Sequence, residues 1–450
     1  MIHSGARRVI FLAPLLLCFA CLSAFAADTA SAKDRMRQTL LYGIDSQVLD
    51  AIQTIKNLND TTFTRELAQV LNENKSVEVQ KAVFDLFKEQ KSRDGEERAK
   101  SVLAAWHDTQ DSLVIAAIQY LSAIRSASLA TGLAPVVDAE SNAMALAAIQ
   151  AMGTTGETSA ATLLVSKLTS ADFPDARKNE CILALGNLKN PAAVDALLAI
   201  AGNTDVDKIR RMYSADSLGK IGDARALPVL RTMIAENDAL IRLYATSALS
   251  HFGLDEVFPS LIQGLRDDNV KVREQSAKAL ARQLSPSQAD TAVPILSYKA
   301  EFDPEPIVRA AAIEALGAIG GDTSTKLLLK VYSGAEHRLD SREAALAVLV
   351  SKSLSESMDA IRSVIAAEWS SYDPRTLEST ARVLSAARSP ALKELFVHFL
   401  DSPDAIVRSY GARGIGGNGF SDLRDRMKKM SEQDPNPGTR REAALALEKL

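Results

Sequence analysis

The sequence predicts an all-α fold, a right-handed α-α superhelix built from about 13 helical-hairpin repeats. The first observation behind this prediction is the stretch 306–320, which recurs in weaker form along the chain. Apolar residues such as Val308 and Leu316 fall on one side of its helical wheel, and Arg309 and Glu314 fall on the other. Glycines follow this amphipathic helix and prolines precede it, so an earlier helix ends upstream and the two form a hairpin.

The second observation is the period of this helix. A basic or polar residue, followed seven positions later by a large apolar residue, returns about every 33 residues, a spacing typical of α-solenoids. No single repeat of a solenoid buries its apolar face alone. We call the apolar position the leucine slot, and its occupants are Ile55, Phe87, Leu121, Met152, Leu185, Leu218, Leu249, Leu280, Leu316, Leu349, Leu384, Ile415 and Leu447.

The third observation is composition. The chain is 47% hydrophobic but only 5% aromatic, which suits closely packed helices rich in alanine and leucine. A length of 450 residues would ordinarily suggest about three domains. Because a repeat array is continuous, we expect one elongated domain instead.

The N-terminus has the pattern of a signal peptide over residues 1–26. Arg7 and Arg8 precede an apolar run from 9 to 22, and Ala24-Phe25-Ala26 has the small-x-small pattern of a cleavage site. The mature chain would start at Ala27 or Asp28. No later stretch is apolar enough to span a bilayer, so we expect an exported protein, periplasmic or secreted, without a transmembrane segment.

An alternative interpretation of the same segment is a lipoprotein signal. Leu17-Cys18-Phe19-Ala20-Cys21 loosely resembles a lipobox, in which Cys21 would be acylated and anchor the protein to a membrane. After cleavage at Ala26 only Cys181 remains, so an intramolecular disulfide is impossible. We interpret Cys181 as a small buried hydrophobe.

Three further segments follow in order. Residues 27–36 are polar and predicted to be flexible, residues 37–132 hold degenerate repeats with a weak apolar pattern, and residues 133–450 hold regular repeats.

Charge and motif content exclude several function classes. The chain has 52 Lys and Arg against 56 Asp and Glu, with a pI near 5.9, so nucleic acid is not an expected partner. The four histidines of the mature chain are dispersed, and we expect neither a metal nor a cofactor. Three matches to catalytic or binding motifs lack their required context, and we treat them as coincidences: Gly414-x-Gly416-x-x-Gly419, Ser217-x-x-Lys220 and Asn203-x-Asp205-x-Asp207.

A second recurring spacing within the repeat places an Asp in the turn between the helices and an Arg six residues later. The pairs are Asp205 and Arg211, Asp267 and Arg273, Asp303 and Arg309, and Asp434 and Arg440. With the leucine slot, this spacing resembles the HEAT family of helical repeats, more narrowly the short HEAT-like repeats of phycobilin lyase subunits, over roughly residues 38–450. The resemblance implies a structural ladder of hydrogen bonds from repeat to repeat, in which Asp caps free amides and Arg bridges to the next carboxylate. It does not imply iron binding, because the His-Glu pairs of the iron-binding members are absent.

The second helices of HEAT arrays are expected to line the concave face, and three central ones supply a candidate partner-binding patch. Its residues are Met212, Tyr213, Asp216, Lys220, Leu243, Tyr244, His251, Gln275, Lys278 and Arg282. Tyr213 and Tyr244 hold equivalent positions in adjacent repeats, so we expect their rings to be neighbours. They either recognise a partner or seal the junction between repeats.

The sequence therefore predicts a non-enzymatic scaffold that binds protein partners of the bacterial envelope. One alternative is an accessory or chaperone-like subunit for an enzyme or cofactor transfer, which would present one deep pocket. A second alternative is a lipid-anchored assembly factor. The last helix lacks an obvious polar capping repeat, which also predicts a possible homo-oligomer through the C-terminal repeat.

Overall fold

A computed structural model describes residues 32–369 and 374–450. The predicted signal peptide, the lipobox alternative and residues 27–31 lie outside the described residues. Within these two ranges the chain forms α-helices and short 3₁₀ turns and contains no β-strand, which confirms the all-α prediction.

The helices are grouped into two compact units, residues 32–225 and 226–450. Those of the first unit are α1 (32–42), α2 (Asp45–Leu58), α3 (Thr64–Glu73), α4 (Val77–Gln90), α5 (Glu96–Ala104), α6 (Asp111–Ala123), α7 (Leu129–Leu133), α8 (Asn142–Thr155), α9 (Thr158–Thr169), α10 (Asp175–Leu188), α11 (Val194–Ala201) and α12 (Lys208–Ile221).

The second unit continues with the same alternation of first and second helices. Its helices are α13 (Leu227–Met233), α14 (Ala239–Leu249), α15 (Leu254–Gly264), α16 (Val270–Leu280), α17 (Pro286–Phe302), α18 (Pro306–Ile319), α19 (Gly321–Ser333), α20 (Leu339–Lys352), α21 (Leu354–Glu368), α22 (Arg375–Ala386), α23 (Lys393–Phe399), α24 (Ala405–Asn418), α25 (Arg424–Gln433) and α26 (Pro437–Leu447).

Consecutive helices pair into hairpins, and each leucine slot lies on the second helix of its hairpin. Every slot residue from Ile55 to Ile415 is buried, so the register read from the sequence is correct even in the degenerate repeats. Within each unit the second helix of one hairpin packs against the second helix of the next. Leu447, on α26, is half-buried.

The N-terminal boundary differs from the sequence expectation. Residues 32–36, assigned to the flexible segment, already belong to helix α1. Lys33 pairs with Asp60 at 3.0 Å and Arg37 pairs with Glu66 at 3.1 Å, so contacts to the following hairpin order this turn. Burial of Leu40 in α1 adds an apolar contribution.

Helix α18 also corrects one assignment. The helical wheel placed Arg309 on the outward side, but only 1% of this residue is exposed. Its guanidinium is buried because the carbonyls of Asp303 and Pro304 and the hydroxyl of Ser341 accept its hydrogen bonds. A wheel treats arginine as polar and cannot show that a junction between hairpins supplies acceptors for it.

Cys181 is fully buried in α10 and forms no disulfide. Burial raises the pKa of its thiol to about 12, so the side chain behaves as a neutral core residue. None of the helices in the described part of the chain combines the length and apolar character that crossing a bilayer demands.

Candidate interaction surfaces

Arginines that are buried or half-buried link successive hairpins of the second unit, and we call them the arginine ladder. Arg273 shows the pattern: its Nη1 donates to the Asp267 carbonyl at 3.0 Å, and its Nε and Nη2 donate to the Asp303 carboxylate, both at 2.9 Å. Each arginine of this kind therefore hydrogen-bonds both to the turn before its own helix and to the next hairpin. Arg242, Arg273, Arg309 and Arg408 form this ladder, with acceptors on Asp267, Asp303, Asp340 with Ser341, and Asp434 respectively.

The ladder ends at α26, where Arg440 donates to the Asp434 carbonyl at 2.7 Å. Arg211 and Arg342 bond differently, since their Nε atoms donate to the carbonyls of Ala201 and Tyr332, ten residues earlier. In both cases the guanidinium ties the second helix to the C-terminal end of the first.

The ladder aspartates accept hydrogen bonds from backbone amides in the turn before the second helix. Asp267 Oδ1 accepts from the amide of Asn269, and Asn269 in turn caps α16 by accepting from the Lys271 amide at 2.9 Å. Asp303 and Asp434 accept in the same way from the residue two positions later. The expected capping role at α16 thus belongs to Asn269, two residues after the aspartate, while Asp267 orders the turn and accepts hydrogen bonds from Arg242.

The ladder carboxylates carry lowered pKa values. For Asp434 the hydrogen bond from Arg408 is the main cause. For Asp267 and Asp303 burial opposes the shift, but hydrogen bonds from Arg242, Arg273 and backbone amides outweigh it and leave the pKa low. Each carboxylate is therefore held in its charged form.

These shifts predict acid sensitivity. Because the folded-state pKa lies below the unfolded value of about 4, the ladder stabilises the fold fully above that value and is lost as pH falls toward the folded-state pKa. We expect the melting temperature to hold steady near neutral pH and to fall steeply below about pH 4. Melting curves recorded from pH 7 to pH 3 measure this decline. The Asp434→Asn variant should be less stable at pH 7 and show a shallower acid decline, and an unchanged slope would contradict the prediction.

The predicted central patch is divided between the two units. In the first unit, Met212 is buried in α12, and Tyr213 is half-buried beside it. Asp216 and Lys220 are half-buried and pair with each other at 2.8 Å. This part of the patch presents one aromatic edge and an internally neutralised ion pair.

In the second unit, Leu243 and Tyr244 are half-buried on α14, and Gln275 is half-buried on α16. Lys278 is exposed and pairs with Glu274 at 2.6 Å.

Two other residues of the patch lie together at a turn. Arg282 donates to the carbonyls of Ser250 and Phe252, which flank the exposed His251. Arg282 thus has a structural role in tying α16 to the turn after α14.

A groove of about 870 Å³ lies across the second helices α20, α22 and α24 and extends to Lys449, just beyond α26. Its lining residues are Glu343, Ala347, Val350, Ser351, Leu354, Arg382, Val383, Ser385, Ala386, Ala387, Arg388, Arg413, Gly417 and Lys449. Small residues form much of the surface, and four of the side chains are cationic.

Ion pairs across the groove join neighbouring helices. Arg382 of α22 pairs with Glu343 of α20, and Arg413 of α24 pairs with Glu442 of α26 at 2.7 Å. The hydrogen bond from Arg413 lowers the pKa of Glu442, which keeps this pair charged.

Arg388, just beyond α22, donates through Nη1 to the carbonyls of Ala386 and Ala387 at 3.1 Å each.

Sequence reasoning did not identify this groove, although its signal was present. The central patch uses positions two residues before and two after the leucine slot, as Asp216 and Lys220 do around Leu218. The same positions in the last four repeats are Ala347, Ser351, Arg382, Ala386, Arg413, Gly417, Leu445 and Lys449, and all but Leu445 line the groove. Arg388 is outside this register, and only the structure places it there.

The glycines of α24 have a packing role. Gly414 and Gly416 are buried in the helix, and a Cβ atom on them would lie 2.5 Å from the Phe396 ring and 2.6 Å from the Ala446 Cα. The dinucleotide-like spacing therefore reflects close approach of α23 and α26. Ser217, from the second chance motif, is also buried and donates to the Ile182 carbonyl.

Asp207, from the calcium-like motif, caps α12 by accepting from two amides. Among the residues that the structure describes, no group of three or more His, Cys, Asp or Glu side chains is arranged to hold a metal ion.

Comparison with known proteins identifies relatives at the level of the repeat. A protein of Pseudanabaena tenuis, named as an uncharacterized phycocyanin operon protein Z, is 33% identical over 101 residues, which cover 22% of this chain and half of that protein. Among solved structures, importin beta matches with 14% identity and a TM-score of 0.49, covering 92% of this chain and 67% of that one. Karyopherin Kap121p, bound to the extreme C-terminus of the phosphatase Cdc14p, matches with 12% identity and a TM-score of 0.46, covering 92% and 53%.

A family model described as spirochaete HEAT repeat protein matches residues 40–446, nearly the whole described chain. The hairpin order, the buried leucine slots and the arginine ladder agree with that match. The chain belongs to this family of HEAT-repeat proteins, whose fold is typical of scaffolds for protein interactions.

Proposed function

We propose that this protein is a non-enzymatic scaffold that binds a protein partner along the exposed faces of its second helices. The observation that carries this proposal is the groove of the second unit, where equivalent positions of α20, α22 and α24, together with Lys449 just beyond α26, line one surface. Its lining includes three arginines, Arg382, Arg388 and Arg413, a residue type enriched at protein interfaces. The half-buried Tyr213 and Tyr244 supply aromatic edges of the kind favoured at interfaces.

We also propose that the scaffold acts in the bacterial envelope after export. The support for this location is the signal-peptide pattern of residues 1–26. Processing at Ala26 would release the protein into its compartment, whereas acylation of Cys21 would anchor it as a lipid-linked assembly factor.

Site-specific photo-cross-linking in native cells tests the scaffold directly. A photoreactive residue at Tyr244 or at Ala386 lies on a second helix, and one at Lys429 lies exposed on the first helix α25 as a control. We expect one envelope protein to be captured from both second-helix positions and not from Lys429. Mass spectrometry of the same sample identifies the N-terminal peptide and thus the processing site.

Replacement of both tyrosines separates recognition from packing. If the central patch binds the partner, the Tyr213→Ala and Tyr244→Ala double variant should lose about tenfold or more in capture while retaining its helical content. Unchanged capture would remove the central patch from the proposal. Equal capture from Lys429 would overturn the scaffold proposal itself.

A further inference from the structure

The groove of the second unit has an unbalanced charge. Arg382, Arg388, Arg413 and Lys449 line it, against the single carboxylate of Glu343. The chain as a whole has a net charge of −4, so this surface is opposite in sign to the molecule that carries it. We propose that the groove binds an acidic segment of a protein partner, an inference that rests on the proposed scaffold function and specifies the chemistry of the partner.

Arg388 is the centre of this inference, because half of its guanidinium is left free. Its hydrogen bonds, to the carbonyls of Ser385, Ala386 and Ala387, all come from Nη1. Nε and Nη2 make no hydrogen bond to any residue in the described ranges. These two nitrogens form the fork that binds a carboxylate through two parallel hydrogen bonds.

Gly417 leaves open the space that this guanidinium occupies. A Cβ atom at residue 417 would lie 2.8 Å from Arg388 Nη1 and 2.9 Å from Cζ, so the guanidinium rests against the bare backbone of α24. A cation already placed by its neighbours loses less side-chain freedom when it binds. Arg388 is thus pre-organised by the glycine and by the end of α22.

The other cations define the sides of the site. Arg382 and Arg413 are neutralised in part by Glu343 and Glu442, so they flank the site and keep its helices in register. Lys449 is exposed at one end, where it adds a second positive charge. A peptide with carboxylates spaced along it would match the separate positive charges of Arg388 and Lys449.

The remaining lining favours a polypeptide over a bulkier anion. Ala347, Ser351, Ala386 and Ala387 have short side chains, so a peptide backbone can approach the helices closely. Val350, Leu354 and Val383 add partly exposed apolar surface for aliphatic parts of the occupant. Nucleic acid instead requires many phosphate contacts along a basic stripe.

Fluorescence anisotropy with the full chain tests the inference. The probe is a short labelled peptide of alternating Glu and Ala, and its counterpart has Gln in place of Glu. We expect the Glu peptide to bind, the Gln peptide to bind at least about tenfold more weakly, and added salt to weaken the binding of the Glu peptide. Stronger binding of an oligonucleotide or of anionic lipid vesicles would overturn the proposal.

Four single substitutions make the test specific. Arg388→Gln should weaken Glu-peptide binding about tenfold or more, and Arg388→Lys should not restore it, because an ammonium lacks the bidentate fork. Gly417→Ala should also weaken binding although it changes no charge, since the new methyl displaces only the end of the Arg388 side chain. Arg362→Gln, an exposed arginine of α21 outside the groove, serves as the charge-matched control.

The outcomes separate this inference from the scaffold proposal. Equal losses in Arg388→Gln and Arg362→Gln would show general electrostatic attraction and overturn the groove site. Absence of Glu-peptide binding, with photo-cross-linked capture intact, would overturn the acidic-segment inference and leave the scaffold standing. Failure of both experiments would overturn both.

Discussion

Replacing Asp303 by alanine should lower the free energy of unfolding of the second unit by about 3–5 kcal/mol. The Asp303 side chain is fully buried, and it accepts hydrogen bonds from Arg273 at 2.9 Å and from Lys299 at 3.1 Å. Its loss leaves the guanidinium of Arg273, whose side chain is only 9% exposed, without its carboxylate. An unpaired buried charge costs far more than a surface ion pair contributes.

Urea unfolding followed by circular dichroism measures this loss, with hydrogen exchange in α16 and α18 locating it. The control is Asp401→Ala, which removes an ion pair with Arg426. Because the Asp401 side chain is 64% exposed, this change should lower the free energy of unfolding by about 1 kcal/mol or less. Adding Arg273→Met to Asp303→Ala should recover part of the loss, because the stranded charge disappears. Equal effects of the two alanine variants would show that the ladder is not a major source of stability.

Replacing Gly416 by alanine should detach the last hairpin from its neighbour. The added Cβ would lie 2.6 Å from the Ala446 Cα and 2.7 Å from its Cβ, where neither atom can rotate away. We expect α26 to lose about 1–3 kcal/mol of local stability through overpacking, although alanine favours a helix over glycine by about 1 kcal/mol. Hydrogen exchange in α26 should accelerate accordingly.

The adjacent glycine provides the matched control for this experiment. Gly417→Ala in the same helix meets only the flexible end of Arg388, so its stability should be unchanged or higher by up to about 1 kcal/mol. If Gly416→Ala exchanged no faster in α26 than Gly417→Ala, close packing at position 416 would not be what holds the terminal hairpin.

The candidate sites were accessible to sequence reasoning only in part. The positions around the leucine slot were identified in the central repeats, and the same rule applied to the last four would have named Arg382, Arg413 and Lys449. That rule could not show that these residues share a groove, because the shape of a groove depends on how each hairpin rotates against the next. Nor could the rule identify Arg388, because this residue lies in the turn after α22 and not at one of the two positions that flank a leucine slot.

The sequence by itself determined the all-α class, the hairpin repeat and the register of its buried positions, since one apolar face repeated about every 33 residues has few other ways to be covered. Only the tertiary structure decided what the charged residues do. Whether an arginine is buried, as Arg309 is, or keeps a free fork toward a groove, as Arg388 does, depends on acceptors supplied by another helix. Those acceptors are set by three-dimensional packing, so no local pattern of residues encodes them alone.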